Sequence, residues 1–130
     1  MASLFTQIIN GDLPGHVLYQ DERCFAIMNL FPCSPGHLLV IPFEEIDHWD
    51  DMPDDLTTHV MLVAKKIAHA QKQVYQTRRV GILVSGMDIP HVHIHLIPAN
   101  TPADLDLTRS TKAEETVLAD AARRLSEYLA

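Results

Sequence analysis

The chain has 130 residues, of which 47% are hydrophobic and 21% charged, the size and make-up of one folded domain and not of a disordered or collagen-like polymer. No apolar stretch approaches the ~20 residues of a membrane span. With 17 acidic against 10 basic residues the formal charge is -7, which disfavours nucleic-acid backbones and anionic membrane surfaces as partners and leaves room for a small anionic ligand held by a locally polar site. The first residues, Met1-Ala2-Ser3-Leu4-Phe5-Thr6-Gln7, do not read as a secretory leader. Cys24 and Cys33 fit no CxxC pair, zinc-ribbon spacing or disulfide framework, so reduced thiols and a cytoplasmic location are expected.

In chain order, Ser3 caps a short helix carrying Leu4, Phe5, Ile8 and Ile9, which Asn10-Gly11 stops. Residues 17–19 and 23–29 read as a hairpin turning at Gln20-Asp21-Glu22, with Phe25, Ile27 and Asn29 on one face and Cys24, Ala26 and Met28 on the other. After the break Phe31-Pro32-Cys33-Ser34-Pro35-Gly36, a third strand runs over 37–41 and ends at Pro42. From Pro53 the period changes to about 3.6. Leu56, Val60, Val63, Ala64, Ile67, Ala68 and Val74 then mark the main helix. The acidic run Glu44, Glu45, Asp47, Asp50, Asp51, Asp54 and Asp55 lacks calcium-loop spacing and reads as the solvated start of that helix. Strands over 80–85 and 91–97, joined by Gly86-Met87-Asp88-Ile89-Pro90, are expected to pair antiparallel. A polar loop over 100–110 precedes a helix opening on the capping box Thr111-Lys112-Ala113-Glu114 and continuing through Leu118, Ala121, Ala122, Leu125 and Leu129.

The chemistry lies in His91-Val92-His93-Ile94-His95-Leu96-Ile97. Alternation puts three imidazoles on one face and the aliphatic residues on the other. A hydrophobic core does not tolerate such a polar stripe unpaired. Metal ligation is one alternative: at about 3.3 Å per residue His91 and His95 stand roughly 13 Å apart, too far for all three to hold one ion, although two of them with His37 could. Nucleophilic and acid–base catalysis is the other. A neutral imidazole can attack phosphorus through one ring nitrogen while its far nitrogen is held by a fixed acceptor, and protonated neighbours can hydrogen-bond the phosphoryl oxygens.

The segment resembles the signature of the histidine-triad (HIT) superfamily, His-φ-His-φ-His-φ-φ with φ aliphatic. Ser3-Leu4-Phe5-Thr6-Gln7-Ile8-Ile9-Asn10-Gly11-Asp12-Leu13-Pro14 is similar to the opening of bacterial Hint-type members, and residues 29–42, from Asn29-Leu30-Phe31-Pro32 to His37-Leu38-Leu39-Val40-Ile41-Pro42, to their second block. The likeness runs from Ser3 to about Pro98. It implies an α+β fold with a five-stranded antiparallel sheet and two main helices, one domain over 1–130, paired as a homodimer. The implied activity is hydrolysis or transfer at the α-phosphate of a purine nucleotide such as AMP or its conjugates, with no nucleic-acid, membrane or cofactor partner. By position, His93 would form a nucleotidyl-histidine intermediate, His95 would contact phosphate oxygens, His91 would support the hydrogen-bond network, and His37 matches a fourth histidine beside the triad. The base pocket maps onto Leu4, Ile8, Leu13, Ile27 and Leu30.

The chain departs from the family pattern in three places. Asn29 stands where an Asp usually meets the ribose hydroxyls, and Ser85-Gly86-Met87-Asp88-Ile89-Pro90 replaces an Asn and a Gly-Gln segment that hold the phosphate, leaving Ser85 and Gly86 as candidate contacts. Phe43-Glu44-Glu45 stands in place of a commonly basic stretch. A nucleotide-binding scaffold with little catalysis is therefore the alternative to an enzyme, with a histidine-ligated metalloprotein behind it.

Overall fold

The structure, a computed structural model, describes residues 2–130. Its spine is a five-stranded antiparallel sheet in the order β1-β2-β3-β5-β4. The strands are β1 (Val17–Gln20), β2 (Cys24–Met28), β3 (Leu38–Pro42), β4 (Arg79–Leu83) and β5 (Ile94–Ala99). Helix α1 (Leu4–Ile9) precedes the sheet, α2 (Asp54–Tyr75) joins β3 to β4, and α3 (Glu115–Leu129) ends the chain. Among the described residues no helix is long and apolar enough to cross a membrane.

Period-two alternation sorts the strand residues between two apolar clusters. Cys24, Ala26, Met28, Leu38, Val40, Ile94 and Leu96 pack with the apolar faces of α2 and α3. Phe25, Ile27, Leu39 and Ile41 point the other way and pack with Phe5 and Ile8 of α1. Two helices of 22 and 15 residues close the first face. One of six covers the second. That inequality of cover leaves the room in which the histidines sit.

Several boundaries differ from the sequence reading, those of β5, β4 and β3 and the start of α3 among them. Strand β5 begins at Ile94 and not at His91. The His91 N–H turns back to the Ile89 carbonyl and the Val92 N–H donates to Ile46, so His91 and His93 lie on the approach to the ladder. Strand β4 stops at Leu83, which leaves Ser85 outside it. Pro42 belongs to β3, opposite Cys24, where the ladder does not need the N–H that proline lacks. The expected capping box at 111–114 does not cap α3, whose N-cap is Glu114 without a side-chain bond. The N–H groups of Thr111 and Ala113 are spent on the carbonyls of Pro32 and Leu30, stitching this segment to the loop before β3. The 100–110 loop holds two short 3-10 turns, Pro102–Leu105 and Leu107–Arg109. On α2, Ala70 is buried while the expected Ala68 is half-buried.

One tie from α2 bears directly on the site. Gln71, fully buried, donates from Nε2 to the carbonyls of Gly36 at 2.9 Å and Leu96 at 3.1 Å. It locks the turn that delivers His37 against the strand that delivers His95. Gly36 has φ of +89°, and a Cβ there would run into the Tyr75 ring, so both conformation and space require glycine.

Candidate active site

On the sparsely covered face, α1, the end of β2, the loop after it and the 84–90 segment enclose a cavity of about 500 Å³, a volume suited to a small organic ligand. Leu4, Ile8, Ile27, Asn29, Leu30, Ser85, His93 and His95 all line it. Leu13 instead packs against the α1 cluster, and Gly86, at φ +67°, is not among the lining residues, so the structure does not gather these two with the rest. His37 and His91 stand behind the wall, both at 0% exposure. Phe5, Phe31, Asp88, Ile89, Leu107 and Ser110 also line the cavity.

The buried histidines form two chains of hydrogen bonds that fix the tautomer of each ring. In the first, His91 Nε2–H donates to the Pro42 carbonyl at 2.7 Å, which leaves Nδ1 to accept from the Ser3 hydroxyl at 2.5 Å. The His91 carbonyl in turn accepts from His93 Nδ1–H at 2.7 Å. His93 Nε2 is therefore left with a free lone pair on the cavity side. In the second chain the Cys33 N–H donates to His37 Nδ1 at 3.0 Å, so His37 carries its hydrogen on Nε2. That hydrogen goes to His95 Nδ1 at 2.9 Å. His95 then holds its own hydrogen on Nε2, the one donor it can turn to the cavity. Asn29 is set by the Phe31 N–H on its Oδ1 at 2.8 Å, with its amide nitrogen 3.2 Å from His37 Nε2.

Burial, then repulsion from His95, pushes His37 down to about 3. Burial, then His93, takes His95 to about 4. Burial also lowers His91. At neutral pH the neighbours of His93 are uncharged, which corrects the expectation of protonated imidazoles: desolvation disfavours the cation, and tautomers fixed by the backbone supply the donors instead. Among the described residues, no three of these histidines bring ring nitrogens within 4.8 Å of one another.

Two contributors escaped the sequence reading. Glu45, read as part of a solvated acidic run, accepts from the Ser3 N–H at 2.5 Å and from the Thr6 hydroxyl at 2.7 Å. Those two bonds hold its carboxyl below the usual range and anchor the serine that meets His91. Asp88, in the short link, puts its Oδ1 3.4 Å from His93 Nε2. No local signal marks the first, since its partners lie 42 and 39 residues away. Only proximity in sequence hinted at the second.

An antiparallel five-stranded sheet with a buried histidine cluster at one cavity defines a histidine-triad architecture. The family model described as HIT domain matches residues 10–101, and the chain belongs to the HIT domain family. It is similar to an uncharacterized HIT-like protein of Methanocaldococcus jannaschii, 34% identical over 73% of this chain and 77% of the other. It is also similar to adenosine 5'-monophosphoramidase HNT1 of Saccharomyces cerevisiae, 32% identical over 75% of this chain and 62% of that protein. Among solved structures, a Hit-like protein from Bartonella henselae superposes with a TM-score of 0.86 at 25% identity, covering 96% of this chain and 94% of that one.

Proposed function

We propose that this protein is a nucleotide hydrolase that cleaves at the α-phosphate of a purine nucleotide conjugate through a covalent intermediate on His93. The observation that carries the reading is the fixed tautomer of His93: Nδ1 is tied to the His91 carbonyl at 2.7 Å, and Nε2 faces the cavity, 3.4 Å from Asp88 Oδ1. In the first step Nε2 bonds to the α-phosphorus as the bond to the leaving group breaks, and the departing group takes the electron pair, a nitrogen also taking a proton from solvent so that it leaves as the amine. In the second, water attacks the same phosphorus and gives a proton back to solvent, the P–N bond breaks with its electron pair returning to Nε2, and the nucleoside monophosphate departs with His93 restored. His95 Nε2–H donates to a phosphoryl oxygen in both steps. Leu4, Ile8, Ile27, Leu30 and the half-exposed Phe31 offer apolar surface to the base. Asn29 keeps its amide hydrogens, since the protonated His37 Nε2 cannot accept them, and one Oδ1 lone pair for a ribose hydroxyl. Likeness to the yeast phosphoramidase favours a phosphoramidate, whose nitrogen leaving group needs no polyphosphate subsite.

Incubation with adenosine 5'-phosphoramidate and, separately, with a dinucleoside polyphosphate tests the reading. AMP should appear faster from the first, and no AMP from either contradicts it. The short segment 85–90 before His91 and Asn29 in place of the usual Asp favour one rival, a nucleotide-binding scaffold, for which calorimetry would find AMP bound without turnover. The free edge of the sheet, β4 with Ile82 and Leu83 exposed, supports a homodimer. Light scattering should read twice the mass of the chain, and a monomer contradicts that.

A further inference from the structure

At the hairpin end of the sheet, away from the histidine cavity, three side chains from three segments converge. Asp21 sits in the β1–β2 turn, Cys24 opens β2, and His59 lies in the second turn of α2. The backbone N–H groups of Arg23 and Cys24 both donate to Asp21 Oδ1 at 2.8 Å. With Oδ1 so occupied, Oδ2 is presented to the other groups: the Tyr19 hydroxyl at 2.8 Å, His59 Nε2 at 2.8 Å and Cys24 Sγ at 3.7 Å. One donor atom each from Asp21, Cys24 and His59 lies within 4.8 Å of the other two. Cys24 is fully buried, whereas the Asp21 and His59 side chains keep 16% and 28% exposure, so solvent reaches the cluster from one side.

Folding the hairpin needs only Oδ1 and its two N–H partners. It does not need an imidazole brought from α2 or a thiol turned toward the same carboxylate oxygen. Thiolate, imidazole and carboxylate together are the donor set of zinc-class ions. Tetrahedral bonds of about 2.0 to 2.3 Å place ligand atoms about 3.3 to 3.8 Å apart, which small rotations of His59 and Asp21 reach from the separations seen.

We propose that Asp21 Oδ2, Cys24 Sγ and His59 Nε2 form a three-ligand site for a zinc-class divalent ion, with the fourth position open to water. Without the ion, burial and then the charge of Asp21 push the thiol up to about 12, so Cys24 is an S–H donor to Asp21 and the network is closed. As the ion enters, the metal–sulfur bond replaces the S–H bond and its proton leaves to solvent. His59 gives up to solvent the Nε2 hydrogen with which it meets Asp21 Oδ2 in the metal-free network, takes one from solvent at Nδ1, and binds the ion through the freed Nε2 lone pair. The ion then ties the hairpin to α2, a structural clamp separate from the histidine chemistry.

The test is titration of the full-length, tag-free, chelator-stripped chain with cobalt(II), followed by displacement with zinc. One equivalent should bind with a sulfur-to-cobalt charge-transfer band in the near ultraviolet, which zinc then bleaches. Cys33→Ser and His93→Ala should keep the band, while Cys24→Ser should lose it. Because Cys24 lies in the core, His59→Gln is the second probe, and it should weaken cobalt by more than the ~10–100-fold typical of an outer-sphere partner. A wild-type chain with no charge-transfer band overturns the proposal. So does a cobalt affinity unchanged by His59→Gln or abolished by His93→Ala, the last because the ion would then belong to the triad.

Discussion

The two faces of the sheet are written by the same alternation of residues, yet one became a sealed core and the other a cavity lined by histidines. Under α2 and α3 every inward strand residue is apolar, and its contribution is burial. Under α1 the apolar surface of Ile27 and Leu39 borders His93 and His95, and what makes buried imidazoles tolerable there is that Nδ1 of each is paired while Nε2 faces the cavity. A long helix can close a sheet face. A six-residue helix cannot, and the uncovered remainder is filled by polar groups held in one arrangement.

Substitutions on opposite faces should separate chemistry from stability. His93→Ala should lower phosphoramidate turnover by about 10³-fold or more, as loss of a nucleophile does, with little change in the urea midpoint. Leu38→Ala, at 0% exposure on the helix face, should cost about 3 kcal/mol of stability while the kcat of the folded protein stays put. If Leu38→Ala lowered kcat as strongly, the faces would not be independent.

Acid should weaken the histidine face specifically. The unfolded chain takes up histidine protons near pH 6.5, whereas folded His95 and His37 do so only near 4 and 3. The unfolded state therefore binds more protons between those values, and stability is full above about pH 6.5 and falls as pH drops toward 4. The slope is up to about 1.4 kcal/mol per pH unit for each histidine. Urea midpoints at pH 7 and pH 5 measure it, and equal midpoints contradict the neutral, buried assignment.

A smaller effect belongs to Asp88. Its carboxylate stands 3.4 Å from His93 Nε2, where the proposed reaction brings a phosphate. At an exposed position, repulsion between like charges is worth about 1 kcal/mol in low salt. Asp88→Asn should then tighten AMP binding about five-fold, a gain that fades as salt is added. Unchanged or weaker binding by calorimetry would assign Asp88 another part.

Much of this was legible from the sequence. The faces of β2, most of the apolar stripe of α2, the antiparallel β4–β5 pair and His93 with His95 at one cavity all follow from period and spacing. What stayed hidden is long-range. No pattern around His91 says that Ser3 donates to it from 88 residues away, or that Glu45 anchors Ser3. Nothing in Thr111-Lys112-Ala113-Glu114 shows that Pro32 and Leu30 claim its backbone, so a sound local capping signal lost to a tertiary one. The protonation of the cluster was misjudged for the same reason: charge on an imidazole is decided by burial, and burial is not written in the local sequence.

The most direct test of the central claim is to catch the intermediate. Rapid mixing with adenosine 5'-phosphoramidate, quenching in alkali to spare the P–N bond, and mass spectrometry of the digest should find one adenylyl group on the peptide containing residues 91–95, localised to His93. AMP formed at the normal rate with no adduct, or an adduct on another histidine, would contradict nucleophilic catalysis by His93.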